Sequence, residues 1–475
     1  MRTLAARAGL PLIALAALFG GCALKEPPST AELQQQALPH TAVPPAWAAS
    51  AASATAAASQ PVANRWLATF DDPALETLVA EALAYNADLQ VAAARVEQAG
   101  GYLKVASGSL LPSVGVAGVW SGDAGSGGGL NAIFLNASLE LDVWGRMRYG
   151  EAAAREQSLA VQADYAYARQ SLAATVAKSW FIAIEAGMQL AIVRDTLKAA
   201  ETLLQLAQDR QRVGIGNEQA VADARANVNS FRDTLRRTEL SRTQALRALE
   251  LLLGRYPAAE IAVAQSLSPL PPPVPAGLPS QLLERRPDVI AAERRVAAAF
   301  HRVGEAQAAQ LPRISLTAGV SAISSDVLVL QDRSNPAWGV GANLLAPLYQ
   351  GGVLRAQVEI RSAEQKESIA AYASTGQRAF GEVENALAAE FALRERAALL
   401  DAVVRDNERA LQLALVQYRV GTVDERSVEQ RQIALYSART ARLQLQSQQL
   451  AQRVNLHLAL GGAFDDTTAI PVAAR

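Results

Sequence analysis

The chain is short of the side chains that most enzymes and metal proteins rely on: of 475 residues one is Cys, three are His and three are Met, and aromatics make up 5%. One thiol can neither close a disulfide framework nor fill a Cys-based zinc site. An excess of either charge is missing too, with 44 Lys+Arg against 45 Asp+Glu, so no basic surplus points to a nucleic-acid partner. Beyond the N-terminal segment, no uncharged apolar run approaches the ~18 residues of a membrane-spanning helix. What is plentiful is Ala, with Leu, Gln and Arg, in a chain that is 50% apolar. Length enough for two to three domains, combined with few rings, points to long helices packed through small residues.

Arg2 and Arg7 precede an apolar stretch from Ala8 to Phe19, which runs into Gly20, Gly21 and Cys22. This reads as a secretory signal over 1–21, too short to span a bilayer. The small pair directly before the lone Cys resembles a bacterial lipoprotein cleavage site, with Cys22 acylated as the new N-terminus. Phe19 departs from the Leu usual in such sites, and Ala23, in place of Asp, resembles sorting to the outer membrane. The alternative is an ordinary signal with a bystander thiol. Any later crossing of a bilayer must then be made by β-strands. Residues 22–63 are rich in Ala, Pro and Ser without periodicity and are expected to form an extended strap.

The rest of the chain repeats itself. Asn86-Ala87-Asp88-Leu89 and Leu111-Pro112 recur as Arg286-Pro287-Asp288-Val289 and Leu311-Pro312, and Arg212-Val213-Gly214 and Leu253-Gly254 recur as Arg419-Val420-Gly421 and Leu460-Gly461. Kept order and nearly kept spacing imply a tandem duplication, with repeat 1 at 64–262, a Pro-rich connector at 263–280, repeat 2 at 281–463 and a tail at 464–475. Each copy reads as helix, β-hairpin (about 112–143 and 312–346), very long helix, tight turn (near 213–217 and 420–424) and returning helix.

The strands alternate. Ile133, Leu135, Ala137, Leu139, Leu141 and Val143 share one face, and Phe134, Asn136, Ser138, Glu140 and Asp142 the other; Ile314, Leu316, Ala318 and Val320 alternate with Arg313, Ser315, Thr317 and Gly319. Such a pattern fits either a membrane barrel or a half-buried soluble sheet. The export signal and the rings near strand ends, Trp120 and Trp338 at one end and Trp144 and Tyr349 at the other, favour the barrel. On that reading Asn136, Ser138, Glu140, Asp142, Ser315 and Thr317 line a lumen. Four strands cannot close a membrane barrel, for which about eight are the minimum; two copies would give 8 and three would give 12, and arithmetic alone does not choose.

From about Met147 to Arg212 there is no Pro, and a small or apolar seam through Val176, Ala183, Leu190, Val193, Leu197, Ala200 and Leu204 follows three-four spacing, as in a coiled coil. The seam recurs through Leu393, Ala397, Leu400, Val404, Leu411 and Ala414.

The segment from Gly277 to Val320, GLPSQLLERRPDVIAAERRVAAAFHRVGEAQAAQLPRISLTAGV, resembles the outer membrane factor family of TolC/OprM-like efflux channels, in its NodT-like lipoprotein branch; Trp66, Phe70, Asp72-Pro73, Asn86 and Asp88-Leu89 agree in the first copy. The resemblance implies a mainly α fold in which a homotrimer shares a 12-stranded outer-membrane β-barrel continued by a periplasmic α-helical barrel. It implies a passive exit duct for small molecules, an adaptor (membrane fusion protein) and an inner-membrane, proton-driven pump as partners, and no cofactor. Type I protein secretion and a structural coiled-coil lipoprotein are the other readings. The tip residues Arg212, Val213 and Gly214, with Tyr418, Arg419, Val420, Gly421 and Thr422, resemble the family's adaptor-binding and closing motifs, though a glycine helix cap explains the turns as well. Where the family commonly has Asp six and nine residues after the second tip glycine, this chain has Ser427 and Gln430, leaving Asp424, Glu425 and Glu429 as candidates for an acidic constriction.

No reaction centre is legible. His40, His301 and His457 are scattered, Gly125 to Gly129 lacks a following Lys-Ser/Thr, and Asp71-Asp72 and Asp465-Asp466 read as helix-start or loop acids. Mass spectrometry of the mature N-terminus is expected to find an acylated Cys22, with the acyl mass lost in Cys22→Ala.

Overall fold

The computed structural model describes residues 24–41, 43–49, 64–120, 130–277, 279–325 and 337–464; the signal with Cys22, Gly125 to Gly129 and Asp465-Asp466 lie outside them. In order come α1 (Thr30–Ala37), a 3-10 turn (Trp66–Phe70), α2 (Pro73–Tyr85), α3 (Ala87–Gly108), β1 (Ser113–Trp120), β2 (Leu130–Leu141), α4 (Arg146–Arg212) and α5 (Glu218–Leu252). The second half follows with α6 (Pro279–Arg285), α7 (Pro287–Ala308), β3 (Arg313–Ser325), β4 (Ala337–Leu345), α8 (Val353–Arg419) and α9 (Glu425–Ala459). The duplication is visible in the lengths: α3 and α7 have 22 residues each, α4 and α8 have 67, and α5 and α9 have 35. A 67-residue helix is roughly 100 Å long. One stretch of α4 is long and apolar enough to cross a membrane by composition, and half of it is buried inside the protein.

Two compact units emerge, one within 1–41, 94–162 and 290–375, the other within 42–93, 163–289 and 376–475. Each draws on both repeats. The first holds the sheet, ordered β1-β2-β3-β4 and antiparallel throughout. Next to it Trp144 donates its indole N–H to the Pro312 carbonyl at 2.8 Å. A Cβ on Gly304 would lie 2.6 Å from the Tyr149 ring, so only glycine lets α7 approach α4 there. His301, buried, packs 6.1 Å from the same ring.

The second unit holds the largest core. Ala173, Ala174, Val176, Ala177, Phe181 and Ile184 of α4 are fully buried with Phe70, Leu75, Ala82, Leu246, Leu249 and Leu450. Many of these are Ala, which is how long helices pack closely with few rings. Asp72 starts α2 by accepting the Leu75 N–H at 3.1 Å and takes the Trp180 indole N–H at 2.8 Å. The buried Arg453 donates to the carbonyls of Pro271 and Pro272 and to Glu390, fixing the connector. Trp47 donates to the carbonyls of Ala276 and Gly277, and Glu384 accepts the Ala48 and Ala49 N–H groups at 2.9 and 2.8 Å. The strap is therefore anchored, and it is not extended throughout. Residues 30–37 are helical because Ser29 and Glu32 form a reciprocal capping box, a spacing that the composition of the segment hides.

Arg286, 2% exposed, holds Asp288 at 2.8 Å, Glu382 at 2.7 Å and the Ala459 carbonyl at 3.2 Å. Burial opposes its charge, but the bonds to Asp288 and Glu382 outweigh that and keep its pKa above the ordinary arginine value. The Arg-Pro-Asp motif thus ties the start of α7 to α8 and α9 as well as initiating a helix. Arg286→Ala is expected to cost about 2 kcal/mol, since the carboxylates are partly solvated but the guanidinium's packing and carbonyl bond are lost; chemical denaturation of the purified protein measures it.

Candidate functional site

Two places carry chemistry: one face of the sheet, and the ends of the long hairpins. In the sheet, register decides which side chains share a face. Ile133, Leu135, Ala137, Leu139 and Leu141 of β2 stand opposite Ala322, Val320, Ala318, Leu316 and Ile314 of β3. Val114 and Val116 pair with Ala137 and Leu135, and Trp338, Val340 and Leu344 with Val320, Ala318 and Ile314. One face is thus apolar across all four strands, and exposed, with Val114 at 70%, Trp338 at 78% and Val340 at 78%. An apolar patch this continuous faces something other than water.

The opposite face sets Asn136 against Gly115 and Gly319, Ser138 against Ser113 and Thr317, and Glu140 against Ser315. Asn343 and Gly341 complete it from β4. Ser113 and Ser138 share a hydroxyl hydrogen bond of 2.8 Å, and Glu140 accepts from Arg146 at 2.9 Å. Asp142 does not belong to this face. β2 ends at Leu141, and Asp142 accepts the Met147 and Arg148 N–H groups at 3.1 and 2.9 Å. The expected strand to Val143 is therefore two residues too long, because the positive end of α4 takes the last carboxylate as its cap.

At the first hairpin end, Gly214 turns the chain at φ 81°, the Ile215 and Gly216 N–H groups return to the Arg210 carbonyl, and Asn217 caps α5 by accepting from Ala220 at 2.8 Å. The second repeats this with Gly421 at φ 81°, the Thr422 N–H on the Gln417 carbonyl, and Asp424 capping α9 by accepting from Ser427 at 3.0 Å. The turns expose Val213, Ile215 and Val420 at 69%, 69% and 70%. Each turn is a glycine cap with an apolar group at its outer edge.

Cross-links tie the hairpins together. The Arg210 guanidinium lies 4.7 Å over the Tyr418 ring and donates to the Tyr418 carbonyl at 3.3 Å, while Arg426 pairs with Asp223 at 2.8 Å. Arg210, Asp223 and Arg426 carry no signal of their own in the sequence, where they are three charges among many. The three candidate acids divide. Asp424 lies at the solvent, its carboxyl held below the usual range by the Ser427 hydroxyl and N–H. Glu425 and Glu429 are buried. Burial, then the Glu429 charge, pushes the Glu425 carboxyl up to about 7, and burial raises Glu429 as well. The Tyr418 hydroxyl reaches Glu425 at 3.4 Å.

A small antiparallel sheet with one apolar and one hydroxyl- and amide-lined face, joined to paired helical hairpins of extreme length, defines a membrane channel subunit. The chain belongs to the outer membrane efflux protein family, whose pattern it matches over residues 78–255 and 278–462. It is 31% identical over 405 residues to the cation efflux system protein CusC of Escherichia coli strain K12, covering 84% of this chain and 88% of that one. It is 30% identical over 481 residues to the toluene efflux pump outer membrane protein TtgC of Pseudomonas putida, covering 97% and 96%. Among solved structures, the outer-membrane channel OprN superposes with a TM-score of 0.79 at 26% identity, covering 90% of this chain and 99% of that one. The family is one of channels, and the protein is an outer-membrane efflux component.

Arg210→Ala is expected to loosen the second tip by about 1 kcal/mol, the scale of a partly desolvated cation–π contact; faster hydrogen exchange across 414–425, with the 246–253 core unchanged, is the measurement.

Proposed function

We propose that three copies of this chain form one passive duct through the outer membrane, the exit of a tripartite efflux system for small molecules. The observation that carries this is the sheet: its apolar face suits lipid, its polar face suits water, and among the described residues β1 and β4 each pair on one side only. Hydrocarbon tolerates no open strand edge, and three copies of four strands close a 12-stranded barrel of a size the architecture allows. The seam of α8 adds support, because Leu393, Ala397, Leu400 and Val404 are left half-buried in the single chain, ready for a neighbouring subunit.

In this reading Asn136, Ser138, Glu140, Ser315 and Thr317 line the lumen, and acylated Cys22 adds a lipid anchor in the outer membrane. The exposed tips at Arg212 to Gly214 and Arg419 to Thr422 meet a periplasmic adaptor, with Tyr418 buried beneath the second tip as its support, and an inner-membrane, proton-driven pump supplies the work. Asp424 is the acid that can face the three-fold axis without rearrangement, so it is our candidate for the constriction. Relatives named for cations and for toluene stand at nearly equal identity, which fits a duct that leaves selection of cargo to the pump.

The duct and its constriction are tested separately. Purified protein is expected to cross-link as a trimer and to conduct in planar bilayers, and a deletion strain to become hypersensitive to compounds in a toxicity panel; a monomer without bilayer activity defeats the reading. Asp424→Ala is expected to raise basal conductance, whereas an unchanged channel would remove Asp424 from the constriction.

A further inference from the structure

Glu425 and Glu429 stand one turn apart on the same face of α9, and both are buried, at 5% and 8% exposure. The Oε1 atom of each has no hydrogen-bond partner among the described residues, and neither does Oε1 of Gln432, which is 6% exposed and lies a further turn along. The charged and titratable groups around them come from four helices. α4 contributes Arg210, held over the Tyr418 ring at 4.7 Å, and α5 contributes Asp223, paired with Arg426 at 2.8 Å. α8 contributes Tyr418, and α9 adds Arg426 together with its N-cap Asp424. Both arginines are therefore committed elsewhere, although their fields still reach the pair.

The Tyr418 hydroxyl donates at 3.4 Å to the other oxygen of Glu425, but the three buried Oε1 acceptors along this helical face have no donor among the described residues, an arrangement that full ionisation makes worse. An ionised carboxylate is acceptor only, and two of them one turn apart in a dry site repel. A carboxyl that keeps its proton becomes a donor, and a single proton removes the repulsion as well. Ionising both acids would instead require water or a cation to enter the packed tip, at the expense of the contacts of Tyr418 and Val428, which are buried here with Leu203 and Ala414.

We propose that Glu425 and Glu429 hold one shared proton at neutral pH and act as a proton-sensitive fastener of the second hairpin tip, tight while the proton is present and loosened when it leaves. The device needs only packing within one chain, so it stands apart from whether the tips meet an adaptor. Its direction follows from linkage. The Glu425 carboxyl titrates at about 7 when folded against an ordinary 4.5. A folded value above the unfolded one gives a contribution that is complete below the unfolded value and is lost as pH rises through the folded value. Alkaline conditions, not acid ones, release the tip.

Hydrogen exchange on the purified full-length protein in detergent tests this, read as protection factors over 418–432 at about pH 5.5 and about pH 8.5, so that the intrinsic pH dependence of exchange cancels. Wild-type protection is expected to fall about thirtyfold, the change produced by the roughly 1.5 pH units that separate pH 5.5 from the folded value of about 7. Glu425→Gln, an isostere of the protonated acid, is expected to hold protection flat. A wild-type tip without pH dependence, or a Glu425→Gln tip that keeps the full wild-type drop, overturns the proposal. Protection over 246–253 reports folding in every sample, and if Glu425→Gln fails that check, Glu429→Gln carries the same test. Because no conductance enters, failure here is distinguishable from failure of the duct reading.

Discussion

A backbone N–H or C=O left without a partner in hydrocarbon costs several kcal/mol, and this constraint governs the protein. A four-stranded sheet satisfies its inner strands and leaves two edges, β1 and β4. The apolar face built by Val114, Leu135, Leu316 and Val340 directs the sheet toward lipid, where open edges are least tolerated. Other features serve that arrangement. The chain must reach the membrane from the far side of an export pathway, and its helices must continue where the strands stop.

Duplication supplies the parts economically. The two copies match in element length and cap chemistry, with Gly214 and Gly421 at the same φ and Asn217 and Asp424 capping the returning helices. They differ in how far they are buried. Val176, Ala183, Val193 and Ala200 of α4 are enclosed, whereas the equivalent seam of α8 is half open. Identical secondary structure therefore serves two purposes: one copy builds a core within the chain, and the other keeps apolar surface for contact beyond it.

Polar side chains work mainly at junctions. Asp142 caps α4, Asp72 caps α2 while holding Trp180, and Arg286 gathers Asp288, Glu382 and Ala459. Asp72 and Arg286 were readable from the sequence as helix-start residues, because capping depends on neighbours in the chain, whereas Asp142 read as part of a strand face. The long-range partner was not, since nothing local in Arg286-Pro287-Asp288 points to a carboxylate 96 residues away. The same holds at the tips: the glycines announce the turns, but Arg210 over Tyr418 and Arg426 against Asp223 depend on how two hairpins lie side by side. The capping box at Ser29 and Glu32 was legible in principle and obscured by the Ala/Pro/Ser background around it.

What the sequence determined by itself was the repeat, the elements and their periods, because alternation of two, spacing of three and four, and glycine or proline punctuation are local consequences of backbone geometry. It also fixed which face of each strand is apolar. Tertiary structure alone decided that those faces coincide across four strands, that β2 stops at Leu141 so that Asp142 can cap a helix, and that of three neighbouring acids Asp424 meets solvent while Glu425 and Glu429 are enclosed. Burial and register are properties of pairs of segments distant in the chain. They set the electrostatic state of a carboxyl group more strongly than its immediate neighbours do.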